Sequence, residues 1–291
     1  MSEPTYGILV AVDGSPESHA AVRWAAAEAV MRKSRVTLMH VVAPMVVSWP
    51  IEELEVGYAE WQIDNAKHLI EQALKTWEAS VGDSPVPDAT TEVRQDGIVT
   101  ELVHASAKST MVVLGSRGLG PVGGAVLGSV SRALLHQAHC PVTITKDDEG
   151  RPVTTAAPVL LGIDGSPASE AATEVAFDEA SRRGVDLVAL HAWSDVGVFP
   201  LLGMDWHTYE DQGHEVLAER LAGWQERYPD VHVRRRIVCD RPARWLIDES
   251  RKAQLVVVGS RGRGGIASMF LGSVSTAVAE SAPAPVMVVR G

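Results

Sequence analysis

Residues Gly259 to Ser275 read GSRGRGGIASMFLGSVS, and residues Gly115 to Ser131 read GSRGLGPVGGAVLGSVS. Each stretch follows an apolar run that is typical of a buried strand, LVVV in the second half of the chain and MVVL in the first. Each also leads into a helical pattern. Two glycine-rich connections between a strand and a helix therefore indicate an α/β unit that occurs twice.

The repeat extends over nearly the whole chain. The segment ILVAVDGSPESHAAVRWAAAEA has the counterpart VLLGIDGSPASEAATEVAFDEA, which places Asp13 on Asp164 at an offset of 151 residues. The same offset places His40 on His191, whereas the glycine stretches are 144 residues apart. The second half is therefore shorter by 7 residues between these landmarks. We expect the missing residues near Pro44 to Glu55.

Length and composition fit two globular domains. The chain has 291 residues, of which 46% are hydrophobic and 22% charged, the balance of a folded protein rather than a disordered one. A polar, proline-bearing segment, KDDEGRPVTTAA, lies between the halves. We predict a first domain at residues 1–146, a linker at 147–157 and a second domain at 158–291.

Each half alternates short β-branched runs with longer helical patterns, which predicts a parallel sheet covered by helices. In the first half the predicted strands are GILVAV, VTLMHVV, TTEVRQ, MVVLG and PVTIT. The predicted helices are about Glu17 to Lys33, Leu54 to Val81, Ile98 to Ala107 and Val126 to Gln137. Right-handed crossovers then favour two tandem doubly wound domains, each a five-stranded parallel sheet flanked by helices.

The two glycine loops and the two Asp-Gly-Ser turns all follow strands directly. Doubly wound sheets bind ligands at the carboxyl ends of strands where the winding reverses, so these segments share the ligand-binding edge. Glycines allow close approach to the backbone, and exposed amides with Arg261 and Arg263 form a site for an anion. The helix that starts near Gly272 to Ser275 adds its positive end and its serine hydroxyls. A plain flexible turn is the alternative, but it needs no such spacing twice.

Composition and motifs exclude several other classes. No apolar run is long enough to cross a bilayer and the N-terminus does not resemble a signal peptide, so we expect a cytoplasmic protein without membrane contact. The net charge of -11 opposes nucleic-acid binding. Cys140 and Cys239 are expected to be free thiols without a metal role. The match to GxGxxG at Gly118 to Gly123 follows the fourth predicted strand, which argues against a nicotinamide or flavin site, and no Walker A lysine occurs.

The spacing G-x2-G-x9-G-S begins at Gly115 and again at Gly259. It closely resembles the ATP-binding motif of the universal stress protein family. The resemblance extends to Asp-Gly-Ser-Pro after the first strand and to His-Val or His-Ala at the end of the second, and so covers nearly all of both halves. It implies a tandem-domain member of the ATP-binding subclass.

The resemblance also implies which residues hold the nucleotide. The aspartate lies beside sugar and phosphates, the residue after the second-strand histidine contacts adenine, and the glycine loop with the next helix holds ribose and phosphates. In the first half these residues are Ala11, Asp13, Val41, Gly115, Ser116, Arg117, Gly118, Leu119, Gly120, Gly128, Ser129 and Val130. In the second half they are Gly162, Asp164, Ala192, Asp195, Gly259, Ser260, Arg261, Gly262, Arg263, Gly264, Gly265, Gly272, Ser273, Val274 and Ser275.

From this resemblance we expect two ATP molecules per chain, with or without Mg²⁺, and a regulatory role in stress response or growth control. A slow ATP hydrolase or adenylating enzyme with a metal on Asp13 or Asp164 is the alternative, although neither half shows a convincing pair of general base and nucleophile. A structural dimerisation module without ligand is a third reading. The final strands pair at a sheet edge in the family, so we expect a homodimer, and a further protein partner stays open.

Several residues have a simpler structural reading. His40 and His191 are expected to be hydrogen-bonded structural residues, and Ser15 and Ser166 to be helix N-caps before a first-turn proline. Asp13 and Asp164 could also cap the next helix, but their position at a strand end favours the ligand role. Five tryptophans on predicted helices suggest packing in the core or at an interface: Trp24, Trp61, Trp77, Trp224 and Trp245.

The two loops are not equivalent in sequence. Pro121 removes an amide donor where the second loop has Gly265, and Leu119 stands where the second loop has Arg263. We therefore expect the second site to bind phosphate at least as well as the first.

Overall fold

The structure is a computed structural model that describes residues 4–44, 52–85, 89–118, 127–147, 155–192, 206–262 and 271–291. The chain divides into two compact units, Met1–Asp148 and Glu149–Gly291. Within the described residues, each unit contains five parallel strands and four helices. This confirms the predicted fold class.

The first unit has the strand order β3-β2-β1-β4-β5, so its winding reverses between β1 and β4. The strands are β1 (Gly7–Ala11), β2 (Val36–Val42), β3 (Thr90–Gln95), β4 (Ser109–Gly115) and β5 (Val142–Thr145). The helices are α1 (Pro16–Arg32), α2 (Glu52–Val81), α3 (Ile98–Ser106) and α4 (Ser129–Gln137).

The second unit has the same order in its own numbering, β8-β7-β6-β9-β10, with the reversal between β6 and β9. The strands are β6 (Val159–Gly162), β7 (Leu187–Ala192), β8 (Val233–Val238), β9 (Leu255–Gly259) and β10 (Val286–Val289). The helices are α5 (Pro167–Arg183), α6 (Trp206–Arg227), α7 (Pro242–Ser250) and α8 (Ser273–Ser281).

The central strands are buried on both faces, as their continuous apolar sequences predict. Ile8, Leu9 and Val10 of β1 are inaccessible to solvent, and β2 and β4 are buried along almost their whole length. By contrast β3, at the end of the first unit's strand order, alternates between exposed and half-buried residues. Its polar sequence TTEVRQ fits that position, because the strand is only partly covered: it contacts α2, and Arg94 pairs with Glu101 of α3 at 3.7 Å.

The predicted N-caps are confirmed. Ser15 precedes Pro16 at the start of α1, and its hydroxyl accepts the backbone N–H of Ser18 at 3.1 Å. Ser166 caps α5 in the same way. Each cap satisfies one of the amides that a helix N-terminus leaves without an intrahelical partner, which fixes where the helix begins after the strand.

The expected position of the seven missing residues is wrong. Leu69 of α2 packs on Gly14 and Arg220 of α6 packs on Gly165, so the offset of 151 residues persists well into these helices. Pro44 to Glu55 therefore lies before the deletion. The length difference falls in the C-terminal part of the second helix and its connection to the next strand, because α2 continues for 12 residues after Leu69 and α6 for only 7 after Arg220.

The tryptophans divide between core and surface. Trp77 is buried in the first unit, and Trp224 stacks on the buried Phe177 in the second, as packing residues should. Trp61, in contrast, is 58% exposed, and Trp245 lies near the surface under the guanidinium of Arg236. Within the described residues, no helix is both long and apolar enough to span a membrane.

Candidate functional site

A cavity of about 630 Å³ lies in the first unit at the carboxyl ends of β1 and β4, where the winding reverses. This is the position at which doubly wound sheets bind ligands. It brings together most of the predicted first-half site residues. Those that line it are Ala11, Asp13, Val41, Gly115, Arg117, Gly118, Gly128, Ser129 and Val130.

The cavity also has an apolar wall that the sequence reasoning missed. Ile98 and Leu102 of α3 contribute to it, together with Met39 of β2, Leu114 of β4 and Leu127. Ile98 and Leu102 are four residues apart and so lie on one face of their helix, which is a signal that could have been found. That this face covers the end of β1 depends on the crossover and not on local sequence. The cavity thus joins an apolar side to a polar side.

Asp13 and Asp164 each combine a turn with an approach to the glycine loop. Oδ1 of Asp13 accepts the backbone N–H of Ser15 at 3.0 Å and the Ser15 hydroxyl at 2.6 Å. The other carboxylate oxygen, Oδ2, lies beside Gly118, at the place where a Cβ would be. In the second unit the backbone N–H of Ser166 donates to Oδ1 of Asp164 at 2.9 Å, and Oδ2 of Asp164 lies beside Gly262. One oxygen therefore builds the turn and the other faces the loop.

Two backbone donors of each glycine loop are engaged within the protein. The N–H of Ser116 donates to Thr145 O at 2.7 Å, and the N–H of Gly128 donates to Ser116 O at 2.8 Å. Ser260 and Gly272 make the equivalent bonds in the second unit. The prediction that the loop amides are exposed is therefore wrong for these four residues. Their bonds hold the loop closed at its base.

The serine hydroxyl at the third position of each last helix is also engaged. Ser131 Oγ donates to Gly115 O at 2.8 Å, and Ser275 Oγ donates to Gly259 O at 2.5 Å. The expectation that the Ser275 hydroxyl completes a phosphate site is therefore wrong. It ties the helix to the end of the preceding strand instead.

The first backbone amides of α4 and α8 are further donors at the site edge. Gly128 is the N-cap of α4 and Gly272 that of α8, and neither has a side chain that could cap its helix. Within the described part of the chain, the N–H groups of Ser129 and Val130 have no acceptor, and both residues line the cavity. Unpaired amides at a helix start, with the positive end of the helix dipole, favour an anion at this point. Ser273 and Val274 occupy the same positions in α8.

The glycine that ends β4 has a packing role. A Cβ at Gly115 would lie 2.7 Å from the Cβ of Glu17, and a Cβ at Gly259 would lie 2.7 Å from the carbonyl carbon of Ala168. Neither glycine has a positive φ angle. This crowding explains why glycine is needed at the strand end, and a contribution of Gly259 to phosphate binding stays a prediction. Both glycines let the first turn of α1 or α5 rest against the strand end.

His40 and His191 are held by backbone carbonyls. Nδ1 of His40 donates to Val12 O at 2.7 Å, and Nδ1 of His191 donates to Ile163 O at the same distance. Each bond joins the end of the second strand to the segment after the first strand. This is the hydrogen-bonded structural role that the sequence predicts.

The other predicted residues of the second unit occupy matching positions. Gly162 ends β6, Ala192 ends β7, and Arg261 follows β9, where its carbonyl accepts the Ser166 hydroxyl at 3.0 Å. Six predicted site residues lie outside the described residues: Leu119, Gly120, Asp195, Arg263, Gly264 and Gly265. Within the described ranges, no group of three or more His, Cys, Asp and Glu residues could hold a metal.

Comparison with known proteins gives the family and the fold. A family model described as "Universal stress protein family" matches residues 7–146 and 156–290. A universal stress protein of Mycolicibacterium smegmatis is 55% identical over 289 residues, which are 99% of this chain and 98% of that protein. One from Mycobacterium tuberculosis is 51% identical over 285 residues, 98% of this chain and 96% of the relative. The crystal structure of a universal stress protein from Archaeoglobus fulgidus has the same fold, with a TM-score of 0.71, 23% identity and 98% coverage of both chains.

Proposed function

Because the chain belongs to the universal stress protein family, we propose that it binds ATP, one molecule in each unit, and that occupancy regulates its conformation or its partners. The observation that carries the proposal is the cavity at the β1/β4 edge of the first unit. It joins an apolar wall to unpaired helix amides, a carboxylate and two arginines, Arg117 and Arg132. A nucleotide has parts that match these groups: a flat base, a ribose and a chain of phosphates.

The fit can be followed along the cavity. Its volume of about 630 Å³ lies in the usual range of ligand pockets. Met39, Ile98 and Leu102 suit the adenine ring, and the backbone beside Val41 suits its polar edge. The amides of Ser129 and Val130 suit the phosphates.

Asp13 has one carboxylate oxygen, Oδ2, that is not used by the turn with Ser15. That oxygen suits ribose hydroxyls or a Mg²⁺ ion that the phosphates carry. The metal would then arrive with the nucleotide, and the protein would add a single carboxylate to its shell.

The catalytic alternative has less support. Among the described residues that line the cavity, Asp13 is the one carboxylate, and its Oδ1 is committed to Ser15. The lining histidine, His40, has Nδ1 bonded to a backbone carbonyl. Fast hydrolysis needs a positioned base and a water or nucleophile, which these residues do not supply together. A regulatory role in the cytoplasm, as a homodimer, completes the proposal.

The first experiment asks whether a nucleotide is bound. Mass spectrometry of denatured, purified protein should detect an adenine nucleotide, and calorimetric titration of nucleotide-free protein should give two ATP per chain. Asp13→Ala together with Asp164→Ala should abolish binding at both sites. Asp186→Ala is the matched control. Asp186 lies just before the amino end of β7, away from the carboxyl ends of the strands, and its carboxylate pairs with the exposed Arg234. Absence of co-purified nucleotide with no binding of millimolar ATP would refute the proposal. The molar mass from size-exclusion chromatography with light scattering tests whether the protein is a homodimer.

A further inference from the structure

Glu17 brings a carboxylate to the phosphate side of the first unit. It lies in the first turn of α1, which rests directly on Gly115 at the end of β4. Its side chain is only 11% exposed, so this charge is held in one place by packing. The sequence reasoning gave Glu17 no role beyond the start of a helix.

The carboxylate holds the arginine of the glycine loop. Oε1 of Glu17 lies 2.9 Å from Nη2 of Arg117, and the Arg117 side chain is 46% exposed and lines the cavity. The guanidinium is therefore shared between an internal carboxylate and whatever anion enters. An incoming phosphate must compete with Glu17 for the hydrogen bonds of Arg117, and it also meets the negative field of the carboxylate.

The second unit lacks this carboxylate. Its equivalent of Glu17 is Ala168, which makes the same close contact with the end of β9 through Gly259. Burial, and then the charge of Arg261, lower the pKa of Arg290, and this residue corresponds to Lys146 of the first unit. Both units therefore have a cation at this position, and they differ in the carboxylate.

We infer that Glu17 makes the two sites differ in the phosphate charge that they select: the second unit distinguishes ATP strongly from AMP, and the first unit does so weakly. The inference rests on the proposed nucleotide binding and adds a specificity residue to it. ATP carries more negative charge than AMP. A fixed carboxylate beside Arg117 therefore penalises the triphosphate more than the monophosphate.

The test measures each unit separately in the full chain. Nucleotide-free protein is photolabelled with 2-azido-ATP and with 2-azido-AMP over a range of concentrations, and peptide mapping assigns the label to residues 1–148 or 149–291. The azide is on the base, so the phosphates stay unchanged. The measured quantity is the ratio of the half-saturating concentrations, AMP over ATP, in each unit.

We expect this ratio to be about tenfold larger in the second unit than in the first. Glu17→Gln, which keeps the size of the side chain, should raise the first unit's ratio about fivefold and leave the second unit's ratio unchanged. Ala168→Glu should lower the ratio in the second unit. Glu170→Gln is the control, because Glu170 is an exposed acid in the first turn of α5 and has no contact with a loop arginine among the described residues.

The outcomes separate the inference from the proposed function. If ATP-competable labelling persists in both units but Glu17→Gln leaves the first unit's ratio within about twofold of its original value, the role of Glu17 is wrong and nucleotide binding stands. If neither unit is labelled in an ATP-competable way, nucleotide binding is wrong and the inference fails with it. A rise in the ratio for Glu170→Gln as large as for Glu17→Gln would assign the effect to general helix charge and overturn the role of the ion pair.

Discussion

The two units keep the same Asp-Gly-Ser turn but cover it with different side chains. Gly14 has φ of +83° and Gly165 has φ of +79°, so the left-handed conformation is common to both. Leu69 packs on Gly14 in the first unit, whereas the guanidinium of Arg220 packs on Gly165 in the second. The comparison teaches that the backbone of the site edge is fixed by the fold and that its covering side chains can change.

The ends of β1 and β6 also keep the same backbone position but carry different residues, Ala11 and Gly162. Ala11 carries a methyl group at the cavity wall of the first unit. In the second unit a Cβ at Gly162 would lie 3.0 Å from Leu246 of α7 and 3.1 Å from Val258 of β9. The glycine makes room for these side chains. Leu246 corresponds to Leu102 of α3, so the same helix position faces both strand ends, and the two units differ in the strand residue, Ala11 or Gly162.

The largest expected effect tests the shared backbone. Gly115→Ala and Gly259→Ala should each lower the free energy of unfolding by about 3 kcal/mol, because the new methyl would meet the first turn of α1 or α5 at 2.7 Å. Urea unfolding measures the free energy of unfolding, and hydrogen exchange assigns the change to one unit. Gly57→Ala in α2 is the control, since a Cβ there contacts nothing and should stabilise the helix slightly. Intact stability with lost ATP binding would mean that the glycine serves the ligand.

The next largest effect is expected when the side chains that pack on the two Asp-Gly-Ser turns, Leu69 and Arg220, are exchanged. Nη1 of Arg220 is buried and has no hydrogen-bond partner in the described residues. Arg220→Leu should therefore stabilise the second unit by about 1 to 2 kcal/mol, and Leu69→Arg should destabilise the first by a similar amount. Thermal and urea unfolding report both changes.

Arg227→Leu on the same helix is the control for this exchange, because Arg227 is 59% exposed and pairs with Glu174 at the surface. It should give no gain in stability. A loss of stability with Arg220→Leu would show that the arginine makes a favourable interaction that the comparison of the two units does not reveal.

A smaller effect concerns the paired histidines. His40→Ala and His191→Ala each remove a 2.7 Å bond to a backbone carbonyl, and we expect a loss of about 1 kcal/mol in each unit. The loss should be greater for His191, which is 4% exposed, than for the half-buried His40. Chemical denaturation of the single variants measures the difference. Equal stability with reduced ATP binding would point to a ligand role instead.

The smallest expected effect is a difference in reactivity between the two thiols. Both cysteines are free, and burial raises the pKa of Cys140 from 9.0 to about 12. Burial and then the charge of Asp240 raise the pKa of Cys239 as well. At pH 8 an aromatic disulfide reagent should therefore modify the more accessible Cys239 first and Cys140 hardly at all.

The sign of the stability change follows from the raised pKa of Cys140. The folded state favours the neutral thiol, so this contribution is fully present below pH 9 and is lost as pH rises toward 12. Urea unfolding at pH 8 and pH 10, compared with Cys140→Ser, measures it. Faster modification of Cys140 than of Cys239 in folded protein would contradict the burial argument.

Local pattern was enough to predict much of the fold. The bounds of β2 and β3 agree with the predicted VTLMHVV and TTEVRQ, and the N-caps at Ser15 and Ser166 follow from neighbours within three residues. The position of α4 was less accurate, because its first described turn begins at Ser129 and not at Val126. Gly128 is extended there, and its N–H is bound to Ser116, a contact that local periodicity does not contain.

The sequence by itself determined the repeat, the alternation of strand and helix, and the placement of Asp13 and the glycine loop at strand ends. These depend on residues close together in the chain and on the rule that parallel strands end at one edge. The tertiary structure decided the strand order, the apolar wall from α3, and the ion pair of Glu17 with Arg117, which are 100 residues apart. Such contacts depend on how the elements pack, because a side chain acquires its neighbours only when distant segments meet.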